Sequence, residues 1–339
     1  MRARRATAVA SVLVASLALA ACSSSTSGAE VASTGGAGYP VTIDHALGTT
    51  TIDAQPTKVA AVNWANQDTA LALDVMPVGF AEQAWGVEDG SGMLPWTKEK
   101  VEELGGEPVL FDETDGLDYE AVANTAPEVI LAAYSGVAQE EYDTLTDIAP
   151  TVAYPDTAWG TTWRDQIKYN SEAMGMAGEG AALTEELETL LDEKTAEFPQ
   201  IEGKTGAFMY AGTSEDSQIG FYTTLDPRAG YLEDLGLSVP ESVATASEGS
   251  DAFYEDISTE HIDLLSDIDV IVVYGDQTLL DQWQADPLLS QIPAVANGSV
   301  VLLGSDGALA ASASPSPLSI PWGVDEYVQL IADAADKVK

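Results

Sequence analysis

Basic residues are scarce in this chain: 13 Lys and Arg stand against 55 Asp and Glu over 339 residues, a formal net charge of −42. Binding a nucleic-acid backbone requires a basic stripe that displaces counterions, and this balance supplies none, so nucleic acid is excluded as a partner. Cysteine is nearly absent, and the single Cys22 rules out a disulfide framework within the chain. The two histidines, His45 and His261, are too few for a multi-histidine zinc, manganese or nickel centre. Also missing are a Gly-x-Ser-x-Gly elbow, a Gly-x-x-x-x-Gly-Lys phosphate loop and a His-Glu-x-x-His pair. A surface hydrolase using two carboxylates stays open as an enzyme alternative, although with 55 acids some such pair is guaranteed. What is abundant is apolar and aromatic side chain. Hydrophobic residues make up 45%, with 7 Trp, 12 Tyr and 6 Phe, enough to offset chain entropy despite the charge. The length suits about two domains.

The first segment reads as an export signal. Arg2, Arg4 and Arg5 precede an apolar run from Val9 to Ala21 that is too short to span a bilayer. The run ends Leu19-Ala20-Ala21-Cys22, which resembles the lipobox of bacterial lipoproteins. That resemblance implies a signal peptide over 1–21 and acylation of Cys22, with palmitate among the chains added. The protein would then be anchored by lipid to the outer face of the cytoplasmic membrane, without a transmembrane helix. The Ser-, Gly- and Thr-rich residues that follow complete a flexible tether over 22–39. Loss of 1–21 removes three arginines, which leaves Arg164 and Arg228 as the only two in the mature chain.

Strand and helix signals alternate beyond the tether. Buried-strand patterns occur at Val59–Val62, Val129–Tyr134, Gly206–Tyr210, Val270–Tyr274 and Ser299–Leu303, and helical patterns lie between them. This predicts parallel α/β layers with ligand groups on the loops after strands. The long helical run from Gly178 to Phe198 divides two such sets, so the expected organisation is an α/β lobe over 40–177, a bridging helix over 178–199 and a second α/β lobe over 200–339. The halves also echo each other. Glu120, then Glu128 before Val129-Ile130-Leu131, is matched by Glu260, then Asp269 before Val270-Ile271-Val272. In each half a helix opens near a Glu and an acid precedes a buried strand.

Taken together, these pieces resemble the iron-siderophore, cobalamin and haem substrate-binding proteins of bacterial ATP-driven importers. The matching residues include Pro56-Thr57-Lys58-Val59, Pro77-Val78-Gly79, Ala126-Pro127-Glu128-Val129, Gly230-Tyr231-Leu232-Glu233-Asp234-Leu235-Gly236 and Trp322-Gly323-Val324-Asp325. The resemblance implies two Rossmann-like lobes bridged by one long helix, with a cleft that closes little on its ligand. It also implies a monomeric binding protein with no enzymatic activity and no cofactor, whose partners are a ferric siderophore and the membrane permease of an ABC importer. Haem, cobalamin or another iron chelate is the alternative ligand. Glu120 and Glu260 fall where that family presents one glutamate per lobe to the permease, and each also complements a helix dipole.

Six residues are candidates for the ligand site: Trp64, Trp85, Tyr134, Tyr210, Arg228 and Trp322. The aromatics follow strands or sit in loops, where their faces can pack a bulky chelate and their edges can hydrogen-bond it. Arg228, in the turn Asp226-Pro227-Arg228, can donate its fork to oxygens that already coordinate ferric iron, so no protein atom need ligate the metal. Arg164 is the second choice. Triscatecholate complexes carry about three negative charges and call for a basic cluster that this chain does not readily assemble. A neutral or cationic ferric hydroxamate is therefore the expected ligand class.

Overall fold

The computed structural model describes residues 38–210 and 218–339, so the expected signal peptide, Cys22 and nearly all of the tether lie outside the described residues. The chain enters through an antiparallel hairpin, β1 (Val41–His45) and β2 (Gly48–Ile52), in which Ile43 and Ile52 face inward. Five short strands then form a parallel sheet: β3 (Val59–Ala61), β4 (Gly79–Ala81), β5 (Val109–Phe111), β6 (Val129–Leu131) and β7 (Thr151–Val152), in spatial order β5-β4-β3-β6-β7. β3, β4 and β6 are buried on both faces, which is why they read as unbroken apolar runs rather than alternating ones.

The second sheet is built from β8 (Gly206–Tyr210), β9 (Gln218–Tyr222), β10 (Tyr254–Ser258), β11 (Val270–Val273) and β12 (Val300–Leu302). Its order, β10-β9-β8-β11-β12, repeats that of the first. In both, the chain runs outward from the first strand and then jumps back beside it, the doubly wound arrangement that opens a crevice where the order reverses. The sheets differ in direction. β9 pairs antiparallel with β8 and with β10, because the few residues between Tyr210 and Gln218 are too short for a helical crossover.

Helices cover both sheets. In the first half they are α1 (Asn66–Ala72), α2 (Pro95–Leu104), α3 (Tyr119–Asn124), α4 (Gln139–Ile148) and α5 (Trp163–Ala173). The 20-residue α6 (Ala177–Ala196) runs from the first sheet to the second and buries only Gly180, Leu187 and Leu191, so it is a bridge held by a narrow stripe. α7 (Pro227–Asp234) follows β9. The closing helix runs from Ser319 to Ala335, and Pro321 is tolerated in its first turn, where the N–H groups have no helical partner anyway.

The echo between the halves has a structural meaning. Glu128 accepts hydrogen bonds from the backbone of Thr57 and Lys58 at the entry to β3, and Asp269 accepts one from Thr205 at the entry to β8. In each lobe an acid before the fourth strand pins the start of the first. The carboxylate of Asp68, wholly buried in α1, ties the two parts of the molecule together. It accepts from Trp96 Nε1 at 2.9 Å and Thr97 Oγ1 at 2.9 Å in α2, from Gln67 Nε2, and from Ser316 Oγ just before the closing helix. Burial pushes this carboxyl up to about 6 even though all four hydrogen bonds favour the charged form.

Candidate functional site

The loops that leave β3 and β6 flank the point where the first sheet reverses, and both are tightly shaped. Asn63 and Ala65 adopt left-handed backbone, with φ of 59° and 57°, and project Trp64 between them. The Glu113 carboxylate holds this turn by accepting from Asn63 N–H at 3.0 Å and from Asn63 Nδ2 at 2.9 Å, and its burial raises its pKa. Asn66 stitches the turn to the other loop: its Nδ2 donates to the carbonyls of Val62 and Tyr134, and its Oδ1 accepts from the Tyr134 N–H. Trp64 and Tyr134 therefore stand at fixed separation before any ligand arrives.

From the second sheet, the ends of β9 and β11 supply Tyr222 and Tyr274. Together the two halves border an open cavity of about 590 Å³ lined by Trp64, Trp85, Tyr134, Trp159, Tyr222, Asp226, Arg228, Phe253, Tyr254, Tyr274 and Ser314. Its walls form an aromatic arc. Trp64 lies 5.8 Å from Trp85, which meets Tyr274 edge-on at 5.6 Å; Tyr274 and Tyr222 both lean on Phe208. On the other side Tyr134 meets Trp159 at 5.5 Å. Contacts across the cleft fix its floor, since Trp85 Nε1 donates to the Ser305 carbonyl at 3.3 Å and the Tyr134 hydroxyl pairs with Ser314 Oγ at 3.3 Å.

Arg228 is the cation of this cavity. Its Nε and Nη2 donate to the two oxygens of Asp226 at 2.8 and 2.6 Å, Nη1 points to the Tyr274 hydroxyl at 3.5 Å, and the guanidinium lies 3.8 Å from the centre of the Tyr222 ring. Desolvation opposes the charge on Arg228, but the bond to Asp226 outweighs it and raises the pKa. Burial pushes the Tyr274 phenol up to about 12 and also raises that of Tyr134, so both hydroxyls stay protonated and able to donate. The Trp64 indole N–H is buried with no acceptor among the described residues. The arrangement is a pre-shaped aromatic pocket with few, directed donors, suited to holding a bulky ligand.

Four of the six residues singled out from the sequence, Trp64, Trp85, Tyr134 and Arg228, come together here. Two do not. Tyr210 stands behind the wall: its hydroxyl bonds Asp256 and its ring packs between Tyr222 and Tyr254, because β8 is the central strand of its sheet and its last residue is shielded by the β9 and β10 edge. Trp322 faces a separate groove with Glu88, Asp89, Lys98 and Glu99, and meets Trp96 at 5.1 Å with the rings tilted, since it sits inside the first turn of the closing helix rather than on a loop. Arg164 is not in the cleft either. On α5 it bonds Asp234 and Glu188, joining the first lobe to α7 and to the bridge.

Tyr222, Tyr274 and Trp159 also line the cavity; the sequence places all three among the aromatics of strand-end loops, although they are not among the six. The rule that crevices lie at strand carboxyl ends finds Tyr222 and Tyr274 once the strands are placed. Trp159 has left-handed backbone, φ 63°, and its indole lies over Gly136, where a Cβ would fall 2.1 Å from the ring nitrogen. Of the two glutamates matched between the halves, Glu120 is exposed in α3; the side chain of Glu260 lies outside what is described.

A family model described as periplasmic binding protein matches residues 59–306. PiaA of Streptococcus pneumoniae TIGR4, an iron uptake ABC transporter substrate-binding protein solved in complex with ferrichrome, is 44% identical to this chain. The match covers 88% of this chain and 100% of that one, with a TM-score of 0.84. The Fe(3+) dicitrate-binding periplasmic protein FecB of Escherichia coli (strain K12) is 23% identical over 278 residues, 79% of this chain and 83% of its own. The ferric enterobactin-binding periplasmic protein FepB of Escherichia coli O6:H1 is 26% identical over 287 residues, 81% of this chain and 87% of its own.

Proposed function

The chain belongs to the periplasmic binding protein family, and on that premise we propose that it is the solute-binding component of an ABC importer, capturing a ferric siderophore in the cleft between its lobes. The observation that carries this reading is the pre-formed aromatic cavity with one arginine, in a chain 44% identical to a protein that binds ferrichrome. A trishydroxamate complex presents a hydrocarbon periphery and iron-bound oxygens. Trp64, Trp85, Trp159 and Tyr222 suit the first; Arg228 Nη1, the Tyr134 and Tyr274 hydroxyls and the Trp64 N–H suit the second. Ferric iron enters as cargo, its coordination filled by the chelator. The role is one of binding and not catalysis.

The same reading includes the lobe limits of 40–177 and 200–339 with the bridge at 178–199, which α6 supports by linking the two sheets. It includes a lipid anchor at Cys22 on the outer face of the membrane, supported by the lipobox-like sequence. No described helix is long and apolar enough to cross a membrane. It also assigns Glu120 and Glu260 to docking on the permease of a monomeric binding protein.

Tryptophan fluorescence tests the ligand. Titration with ferrichrome should quench saturably at micromolar concentration or below, whereas haem and cobalamin should not; the reverse pattern moves the assignment to those ligands, and silence with all of them removes it. Docking is tested apart from binding. Replacing both Glu120 and Glu260 by Ala should leave the ferrichrome affinity intact and abolish uptake, and unchanged uptake refutes that role.

A further inference from the structure

The charge inside the cleft is cancelled within a single turn. Asp226 caps α7, accepting the Arg228 N–H at 2.9 Å, and the same carboxylate takes both Nε and Nη2 of that arginine. Because the partners are two residues apart on one turn, movement of the lobes cannot separate them. The Asp226 side chain is 6% exposed and that of Arg228 is 23% exposed, so solvent screens the pair only weakly. No other charged residue among the described residues lines the cavity. The cleft thus offers Nη1 as a donor, while the field of the guanidinium is reduced to that of a dipole, which falls off faster than the field of a lone charge.

Resting on the reading of this site as a ferric-chelate pocket, we propose that Asp226 is a specificity-determining residue: by closing an ion pair on Arg228 it makes the cleft electrically neutral and so selects neutral or cationic chelates against anionic ones. Capping alone does not explain a carboxylate here, since Asn or Ser caps a helix as well as Asp. The charge is the property that Asp adds. Discrimination of this kind is built by leaving an unwanted partner without compensation, and a chelate with three negative charges would enter a cavity holding no net positive charge to offset its desolvation.

The experiment compares three probes by fluorescence titration at low and physiological salt: ferrichrome, which is neutral; ferrioxamine B, which is cationic; and ferric enterobactin, which carries three negative charges. In Asp226→Asn, which keeps the cap and frees one positive charge, affinity for ferric enterobactin relative to ferrichrome should rise about tenfold, and the gain should shrink with salt. Relative affinity for ferrioxamine B should fall. Arg228→Gln should shift both ratios the opposite way, and the double variant, neutral again, should return toward the wild-type ratios. An enterobactin to ferrichrome ratio unchanged in a folded Asp226→Asn overturns the inference. Should that variant not fold, the Arg228→Gln ratios decide by the same criterion. Wild-type protein that binds ferrichrome while the variants show no shift refutes the role of Asp226 alone, whereas wild type that binds none of the three refutes the underlying ligand reading and this inference with it.

Discussion

At the scale of single residues, the buried polar groups do the structural positioning and the aromatics form the surface. Asp68 illustrates the first. Its pKa, raised by burial to about 6 from an ordinary value near 3.8, means that the folded state holds a proton more tightly than the unfolded chain. Its contribution to stability is therefore fully present below about pH 3.8 and lost as pH rises through about 6. Compared with Asp68→Asn, the wild type should gain stability as pH falls from 7 to 4, by up to about 3 kcal/mol. Urea denaturation of both proteins across that range checks it, and parallel pH profiles would show that Asp68 does not titrate there. The variant comparison cancels carboxylates whose pKa is lowered, such as Glu128. Little of this was legible in the sequence. Asp68 sits in Ala65-Asn66-Gln67-Asp68, a polar helix start, and it is buried by Trp96 and Thr97 of α2 and by Ser316 from the far end of the chain.

At the scale of elements, the site depends on two loops at strand carboxyl ends being locked together. Asn66 is wholly buried and supplies most of that lock, with an added bond from Asn170 Nδ2 at 3.1 Å. Asn66→Ala leaves the Tyr134 N–H and two carbonyls without their partner, and should cost about 3 kcal/mol of stability. Unfolding in urea should show a lower midpoint with an unchanged slope, and ferrichrome affinity should drop in the still-folded protein because Trp64 and Tyr134 lose their fixed spacing. The strands that carry these loops were readable from their apolar runs, and so were Trp64 and Tyr134 beyond them. Tyr210, the last residue of β8, satisfies the same rule but packs against Tyr222 and Tyr254 instead of lining the cavity. Phe253, Tyr254 and Ser314 gave no local signal at all; they are brought to the cavity by an antiparallel edge and a return loop that no periodicity announces.

At the scale of the whole molecule, the lobes are joined by more than the bridge. Asp234 at the end of α7 accepts from Trp163 Nε1 at 2.8 Å and from Arg164 Nη2 at 2.9 Å, while Arg164 Nε reaches Glu188 on α6 at 2.7 Å. This three-way junction holds the helix whose first turn carries Arg228. Asp234→Ala should destabilise the protein by about 2 kcal/mol, and hydrogen exchange should show faster opening of α7 than of the first sheet; equal protection would refute a junction role. The sequence by itself determined the α/β class, the division by a long helix, the acids that open the repeated units and the aromatic, cation-poor character of the ligand site, because hydropathy period, turn residues and composition are local properties. The tertiary structure alone decided which aromatics share a wall, that Arg164 bonds Asp234 and Glu188 outside the cavity, and that Asp226 pairs with Arg228. Those depend on strand order, on the antiparallel turn after β8 and on side-chain direction, which arise only when distant segments pack.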